Sequence, residues 1–147
     1  MIGELLDIDR IELDVEAKDW KDALRKAGKI LVENGSIEQE YVEKTILAVE
    51  ELGPYIVIMP GVAFGHSRPD ETVKETCMQM IRLKEPVEFG SQYNDPVKLI
   101  IMFASTDSKG HMNTLQQIAQ MMMEPENVEL LLKSENIDEI KKLLSSY

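Results

Sequence analysis

Cysteine is scarce in this chain, since Cys77 is the only one among 147 residues. An intramolecular disulfide is therefore excluded, and the cysteine usage gives no sign of an oxidising compartment. Histidine is also scarce, and the sequence contains no HxxH or CxxC pair of the kind that holds a metal. We therefore expect no metal and no cofactor, and we expect Cys77 to be a small buried apolar residue.

Basic residues are few relative to acidic ones. The chain has 16 lysines and arginines against 27 aspartates and glutamates, which gives a formal net charge of −11. A surface of this sign repels nucleic-acid phosphates and anionic membranes, so neither is an expected partner. A basic protein surface would be attracted instead, and a small anion could still be held by backbone N–H groups and a single arginine.

Long apolar runs are absent as well. No run approaches the ~20 residues that span a bilayer, so direct membrane insertion is not expected. The first ten residues, MIGELLDIDR, carry acids where a secretory signal would carry positive charge, which favours a cytoplasmic protein. Hydrophobic residues make up 44% of the chain, which is enough for a core, and we expect a single domain over residues 1–147.

The first third of the chain predicts one strand and two helices. Residues 11–15 alternate apolar and polar, as a half-buried strand does. Apolar residues at three- and four-residue spacing then predict a helix over 17–33, closed by Asn34-Gly35. A second helix is predicted to begin at Ser36, with Gln39 at capping-box spacing, and to end at Gly53-Pro54. Its apolar stripe comprises Ile37, Tyr41 or Val42, Thr45, Ile46 and Val49.

Three further strands are predicted, at residues 55–59, 77–83 and 97–103. The first is a continuous, largely β-branched run, which is typical of a strand covered on both faces. The segment 84–96 contains two prolines and a glycine, so it is expected to be mostly loop with a short extended piece at Val87–Phe89.

The last third predicts helices. Residues 105–108, STDS, are all good N-caps, and the helix beyond them is expected to place Leu115, Ile118, Ala119 and Met122 on one face. Pro125 ends it, and two short helices follow over 126–133 and 137–145. Helices at both ends with strands between them predict an α/β fold, a mixed β-sheet sandwiched between helices.

Both histidines follow an apolar strand. Ligands of open α/β sheets bind outside the carboxyl ends of the strands, so His66 and His111 could face one site. A neutral imidazole, with an ordinary pKa near ~6.5, can attack phosphorus through one nitrogen if the other has an acceptor that fixes its tautomer. On spacing alone, however, a histidine after a strand is more often a hydrogen-bonded loop residue.

The residues around each histidine suit an anion. Gly65 and Pro69 allow a turn that holds His66 and Arg68 on an extended segment. His111 lies near a helix start, where the dipole and free N–H groups favour an anion. The simpler alternatives are a surface charge for Arg68 and a helix cap for Asp107.

Two segments carry a family resemblance. PYIVIMPGVAFGHSRP, residues 54–69, and ASTDSKGHMNTLQQIAQMM, residues 104–122, together resemble enzyme IIA of the fructose/mannitol group of the bacterial sugar phosphotransferase system. The ascorbate-type branch is the nearest likeness. The resemblance spans the whole chain and implies the family fold, a mixed sheet with helices on both sides.

The resemblance also implies a function and partners. His66 would accept a phosphoryl group from the histidine-containing phosphocarrier protein, and His111 would contact that group. Enzyme IIB would receive it on a cysteine, and the sugar would be phosphorylated as it crosses membrane enzyme IIC. Arg68, Ser67 and Asp107 are candidates for supporting the phosphate. A homodimer is left open.

The chain departs from the family pattern in two places. The family usually has Pro before the active histidine and Ala or Gly after it, whereas this chain has Gly65 and Ser67. The mannitol-like branch has an arginine upstream of the strand, whereas residues 47–53, LAVEELG, contain none, and Arg68 is the candidate replacement. These departures motivate an alternative, a regulatory interaction module of the same fold with weak or no phosphotransfer.

Overall fold

The computed structural model of the protein describes residues 2–147. Within these residues the chain has five strands and six α-helices, and four of the strands follow one another between the helices at both ends. The strands are β1 (Ile11–Val15), β2 (Val57–Met59), β3 (Val62–Gly65), β4 (Cys77–Val87) and β5 (Val97–Ala104). The helices are α1 (Ile2–Leu5), α2 (Trp20–Glu33), α3 (Gln39–Leu52), α4 (Ser108–Met122), α5 (Pro125–Lys133) and α6 (Ile137–Leu144).

The strands form one mixed sheet in the order β1-β4-β5-β3-β2. β1 is parallel to β4 and β3 is parallel to β5, whereas the β4–β5 and β2–β3 pairs are antiparallel. The central pair β3–β5 runs in register from Val62–Leu99 to Gly65–Met102. The carboxyl ends of β3 and β5 therefore lie side by side at one edge of the sheet.

Each face of the sheet has its own apolar core. Along β5, Ile100 and Met102 belong to the core that is covered by α2 and α3. Ile101 and Phe103 belong to the opposite core, which is covered by α1 and by α4 to α6. Because successive strand residues point to opposite faces, a doubly covered strand such as β5 is apolar at every position except Lys98. The predicted mixed sheet sandwiched between helices is confirmed.

Several predicted elements are confirmed with small changes in bounds. β1 covers the predicted 11–15, β5 extends the predicted strand by one residue, and α4 to α6 match the predicted helices. Thr45 and the apolar stripe of α3 are buried, and Cys77 is buried as expected. Burial raises the pKa of the Cys77 thiol to about 12, so this side chain is a poor nucleophile. On α4, however, Ala119 is exposed, and Thr114 and Met121 are buried instead.

The predicted strand over 55–59 is wrong in its extent and its surroundings. β2 contains only Val57–Met59 and lies at the edge of the sheet, where Ile58 is 45% exposed. The strand that is buried on both faces is β3, which the sequence patterns treat as part of a turn. Gly61 has a φ of 80°, and it closes a hairpin between β2 and β3 that divides the apolar run in two.

Two other local predictions are wrong. Ser36 does not cap α3, because its hydroxyl donates to a Glu75 carboxylate oxygen at 2.6 Å and the helix begins at Gln39. β4 continues to Val87, through residues that were expected to be loop, because Val87 still pairs with Val97 of β5.

None of the helices between residues 2 and 147 combines the length and the apolar character needed to cross a bilayer.

Candidate active site at the carboxyl ends of strands β3 and β5

His66 and His111 meet at the edge of the sheet where β3 and β5 end. His66 is the first residue after β3, and His111 lies in the first turn of α4, which follows β5. The centroids of the two rings are 5.5 Å apart. The two rings converge as predicted, although His111 does so from helix α4 and not from a loop. Their chemical roles stay a prediction.

A backbone carbonyl fixes the tautomer of His66. Its Nδ1 lies 2.8 Å from the carbonyl oxygen of Phe64. Because a carbonyl only accepts hydrogen bonds, we assign the proton to Nδ1, which leaves the lone pair on Nε2. The ring is also held by aromatic neighbours, with Phe64 tilted at 5.3 Å and Tyr55 edge-on at 5.9 Å between centroids. Nε2 is thus the nitrogen that is available as a nucleophile.

Burial keeps both imidazoles neutral over a wider pH range than usual. It lowers the pKa of His66, and the hydrogen bond to the Phe64 carbonyl offsets only part of that effect. Burial, and to a smaller degree the charge of His66, lowers the pKa of His111. A neutral His66 is the form in which Nε2 has a free electron pair at physiological pH.

His111 is presented by the start of α4. Asp107 caps this helix, and its Oδ1 accepts from the N–H of Gly110. The His111 ring packs against the Phe103 ring at 5.4 Å between centroids. Its Nδ1 is buried and has no hydrogen-bond partner among the residues that the structure describes. An anion beside these rings would lie near the positive end of the α4 dipole.

The known proteins that are similar to this chain belong to one system. The family model described as "Phosphoenolpyruvate-dependent sugar phosphotransferase system, EIIA 2" matches residues 4–147. The chain belongs to this family. It is therefore a phosphocarrier of a sugar phosphotransferase system, a phosphotransferase that works through a phosphohistidine.

Individual relatives of this enzyme IIA are similar over most of its length. The ascorbate-specific PTS system EIIA component of Shigella boydii is 36% identical over 135 residues, which are 91% of this chain and 88% of that protein. The mannitol-specific cryptic phosphotransferase enzyme IIA CmtB of Escherichia coli has a TM-score of 0.88 at 26% identity, with 99% of each chain covered. Enzyme IIAMTL of Escherichia coli, solved in complex with phosphorylated enzyme IIBMTL, has a TM-score of 0.82 at 25% identity, with 97% of this chain and 100% of that chain covered.

The predicted supporting residues of this enzyme IIA lie in different settings. The backbone N–H of Ser67 donates to the hydroxyl of Tyr41 at 2.8 Å. Arg68 is exposed, and its guanidinium forms no hydrogen bond or ion pair with any residue in the range 2–147. Asp107 caps α4, which was the simpler of the two interpretations of this residue. The structure does not place the Arg68 guanidinium against His66, and all three supporting roles stay predictions.

Gly65 does not form a flexible turn before His66. It is the last residue of β3 and pairs with Met102 of β5. A Cβ at this position would lie only 3.1 Å from Cε and 3.2 Å from Sδ of Met102. Strand pairing therefore fixes the backbone that a proline would otherwise stiffen, and Met102 fills the space above the glycine.

The sequence patterns missed three side chains that hold the segment after His66. Tyr41 was assigned only to the apolar stripe of α3, although a buried tyrosine usually needs a partner for its hydroxyl. Lys44 donates to the carbonyl of Arg68 at 3.2 Å and pairs with Asp70. The bonds from Lys44 and Thr72 lower the pKa of Asp70 to about 2. The Tyr55 hydroxyl lies 3.4 Å from the carbonyl of His66.

An apolar cleft opens beside His66. Its volume is about 410 Å³, and its walls come from β2, β3 and α4. A second cavity of about 500 Å³ continues toward α5 and shares Met59, Met122 and Met123 with the first. Ile58 and Met123, at 45% and 77% exposure, form part of the rim. No group of three or more potential metal-ligating side chains occurs within residues 2–147.

Proposed function

We propose that His66 accepts a phosphoryl group from the histidine-containing phosphocarrier protein and passes it to a cysteine of an enzyme IIB. The observation that carries this proposal is the hydrogen bond from His66 Nδ1 to the Phe64 carbonyl, which leaves Nε2 free beside His111. In this proposal residues 1–147 act as one cytoplasmic enzyme IIA domain.

The transfer proceeds in two displacements at phosphorus. In the first, the lone pair of His66 Nε2 forms a bond to phosphorus, and the N–P bond of the donor phosphohistidine breaks with its electron pair returning to the donor ring. In the second, a thiolate of enzyme IIB forms an S–P bond, and the Nε2–P bond breaks. Each step needs alignment and charge stabilisation more than covalent help from other residues.

The surroundings of Nε2 can supply that stabilisation. In this proposal His111, whose ring lies beside that of His66, and the N–H groups at the start of α4 that the Asp107 cap leaves unused donate to the phosphoryl oxygens. The proposed supports for the same oxygens are Arg68, Ser67 and Asp107, the cap of α4. Arg68 is exposed and no other described residue holds its guanidinium, so this group is free to turn toward an incoming phosphoryl group.

The partner surface proposed here is the apolar cleft beside His66 and its exposed rim. Ile58 and Met123 offer apolar area next to the nucleophile, which is suited to a protein surface that must exclude water during transfer. The net charge of −11 favours a donor with a basic face. Because one relative is named as an ascorbate-specific component, we propose that the transported sugar is ascorbate-like. The proposed partners for its uptake are an enzyme IIB and, indirectly, a membrane enzyme IIC.

Labelled phosphoenolpyruvate, enzyme I and the phosphocarrier protein test the acceptor. We expect acid-labile, base-stable label on the wild type and none on His66→Ala. Addition of the ascorbate-type enzyme IIB should then remove the label from the wild type. Equal labelling of both variants would contradict the assignment of His66. Label that stays on His66 with every enzyme IIB would favour the alternative, a regulatory interaction module.

A further inference from the structure

Tyr41 connects the segment after His66 to strand β5 through its hydroxyl group. The side chain extends from α3 and is fully buried. Its hydroxyl oxygen accepts from the N–H of Ser67 at 2.8 Å, and the hydroxyl donates to the carbonyl of Phe103 at 2.7 Å. One hydroxyl therefore joins the residue that follows His66 to the end of β5.

This connection lies where direct strand pairing stops. The last register pair of β3 and β5 is Gly65–Met102, and the chain leaves the sheet at His66. Phe103 directly follows Met102, and Ser67 lies two residues after Gly65. The Tyr41 hydroxyl bridges Ser67 and Phe103 where no direct hydrogen bond of the sheet joins them. His66 thus lies between two fixed points, the strand pair before it and the tyrosine bridge after it.

The same bridge sets the position of His66 relative to His111. The Phe103 ring is stacked on Phe64 at 5.9 Å and packs against His111 at 5.4 Å between centroids. The Phe64 carbonyl holds Nδ1 of His66. Because Tyr41 bonds the backbone of Phe103, the residues that orient both imidazoles share one attachment.

A second side chain of α3 strengthens this attachment one turn later. Lys44 donates to the Arg68 carbonyl at 3.2 Å, and its ammonium lies 5.5 Å from the centroid of the Tyr41 ring. Helix α3 thereby holds the segment after His66 at two successive residues, Ser67 and Arg68. Burial raises the pKa of Tyr41 far above its usual range, so its hydroxyl keeps the proton that it donates.

We propose that Tyr41 is a positioning residue for phosphoryl transfer, whose hydroxyl fixes the backbone after His66 so that Nε2 stays aligned beside His111. This inference rests on the proposed function of His66. The Tyr41 hydroxyl bonds backbone groups of Ser67 and Phe103, so its proposed effect is on alignment and on the tautomer of His66. Small misplacements of a reacting group cost about 10²-fold in rate.

The test compares wild type, Tyr41→Phe and a matched control, Thr45→Val. Thr45 has a buried hydroxyl on the same helix, and among the described residues this hydroxyl donates to the carbonyl of Tyr41 and not to the segment after His66. We expect the rate of phosphoryl transfer from the phosphocarrier protein to fall about 10- to 100-fold in Tyr41→Phe and to stay within about twofold in Thr45→Val. Rates are measured on folded protein, checked by circular dichroism.

Nitrogen-15 NMR of the imidazoles gives a readout that a purely structural role would not move. At a pH above the histidine pKa values, His66 of the wild type and of Thr45→Val should be in the Nδ1-protonated tautomer. In Tyr41→Phe we expect a mixture that contains the Nε2-protonated form. The inference would be overturned if Tyr41→Phe transferred the phosphoryl group more slowly but kept the wild-type tautomer of His66. It would also be overturned if the transfer rate of Tyr41→Phe were unchanged.

The two proposals fail in different ways. Absence of label on the wild type with an active donor contradicts the proposed function, whereas equal rates for the wild type and Tyr41→Phe contradict only the role of Tyr41. If Tyr41→Phe does not fold, hydrogen exchange of the wild type decides. The Ser67 amide should then be protected although it lies outside the strands, and exchange at the rate of an open amide would overturn the inference.

Discussion

His66 and His111 are neighbours whose surroundings hold them to different degrees. His66 has a ring nitrogen bonded to the Phe64 carbonyl, an aromatic ring on each of two sides, and fixed backbone before and after it. His111 packs on Phe103 at a helix start, and its buried Nδ1 has no partner among the described residues. One imidazole has its tautomer determined before any ligand arrives, and the other does not.

This difference matches two roles in one transfer. A nucleophile benefits from a fixed tautomer and orientation, since its lone pair must face phosphorus from the start. A group that stabilises developing negative charge needs to donate a hydrogen bond when the charge arrives. His111 can place its proton on either nitrogen, because no hydrogen bond among the described residues determines the choice. A change to one histidine, or to the residues that hold it, should therefore affect the role of that histidine first.

The largest effect is expected from removing His111. We expect His111→Ala to slow phosphoryl transfer to His66 by about 10²- to 10³-fold, the usual cost of losing one donor to a developing anion. The acceptor Nε2 remains, so label should still reach full stoichiometry at long times. His111→Gln, which keeps a donor, should recover part of the rate. Quench-flow labelling measures all three, and an unchanged rate in His111→Ala would remove its proposed role.

A smaller effect is expected from disturbing the backbone before His66. In Gly65→Ala the new Cβ would meet Met102 at 3.1 Å, and overpacking of this kind costs about 1–3 kcal/mol of unfolding free energy. Chemical denaturation measures the loss. The double variant Gly65→Ala/Met102→Ala should lose less than the sum of the two single losses, because the shortened side chain removes the clash. Strict additivity would show that the Met102 contact is not the cause.

The smallest effect is a shift in titration. NMR titration should show both histidines below the ordinary pKa of about 6.5, because burial lowers both. His66→Gln removes a neighbouring charge, so the pKa of His111 should rise toward the ordinary value. A fall or no change in the pKa of His111 would contradict the effect of the His66 charge on it.

The same shifts fix the sign of a stability effect. Between the lowered folded pKa values and about 6.5, the unfolded chain binds more protons than the folded protein does. Stability therefore rises with pH through this window, and it is lost as the pH falls through it. Denaturation midpoints of the wild type and of His66→Gln on both sides of the window measure the share that His66 contributes.

The sheet and the pairing of the histidines could be predicted because local patterns carry that information. The apolar runs that became β4 and β5 are long enough to be recognised, and a residue that follows a strand must lie at its carboxyl end. The hairpin of β2 and β3 was missed because two short strands joined at Gly61 look like one apolar run followed by a turn. The sequence pattern alone does not distinguish two short strands joined by a tight turn from one strand followed by a loop.

The attachments of His66 could not be predicted for a different reason. The Tyr41 hydroxyl bonds residues that are 26 and 62 positions away, and Lys44 bonds a residue 24 positions away. No spacing rule relates partners at such distances, since tertiary packing brings them together. The only local signal was the tyrosine hydroxyl in a stripe whose other polar member is Thr45. Asp107 shows the opposite case, because a cap depends on neighbours three residues away and was predictable.

The Phe64 carbonyl has a consequence for how the phosphocarrier cycles. Once Nε2 is bonded to phosphorus, a ring that keeps its Nδ1 proton carries a positive charge, and the Phe64 carbonyl is the acceptor that favours this form. A cationic ring is the better leaving group, because the electron pair of the breaking N–P bond neutralises it. The carbonyl that orients the nucleophile before loading would therefore also assist its release during unloading.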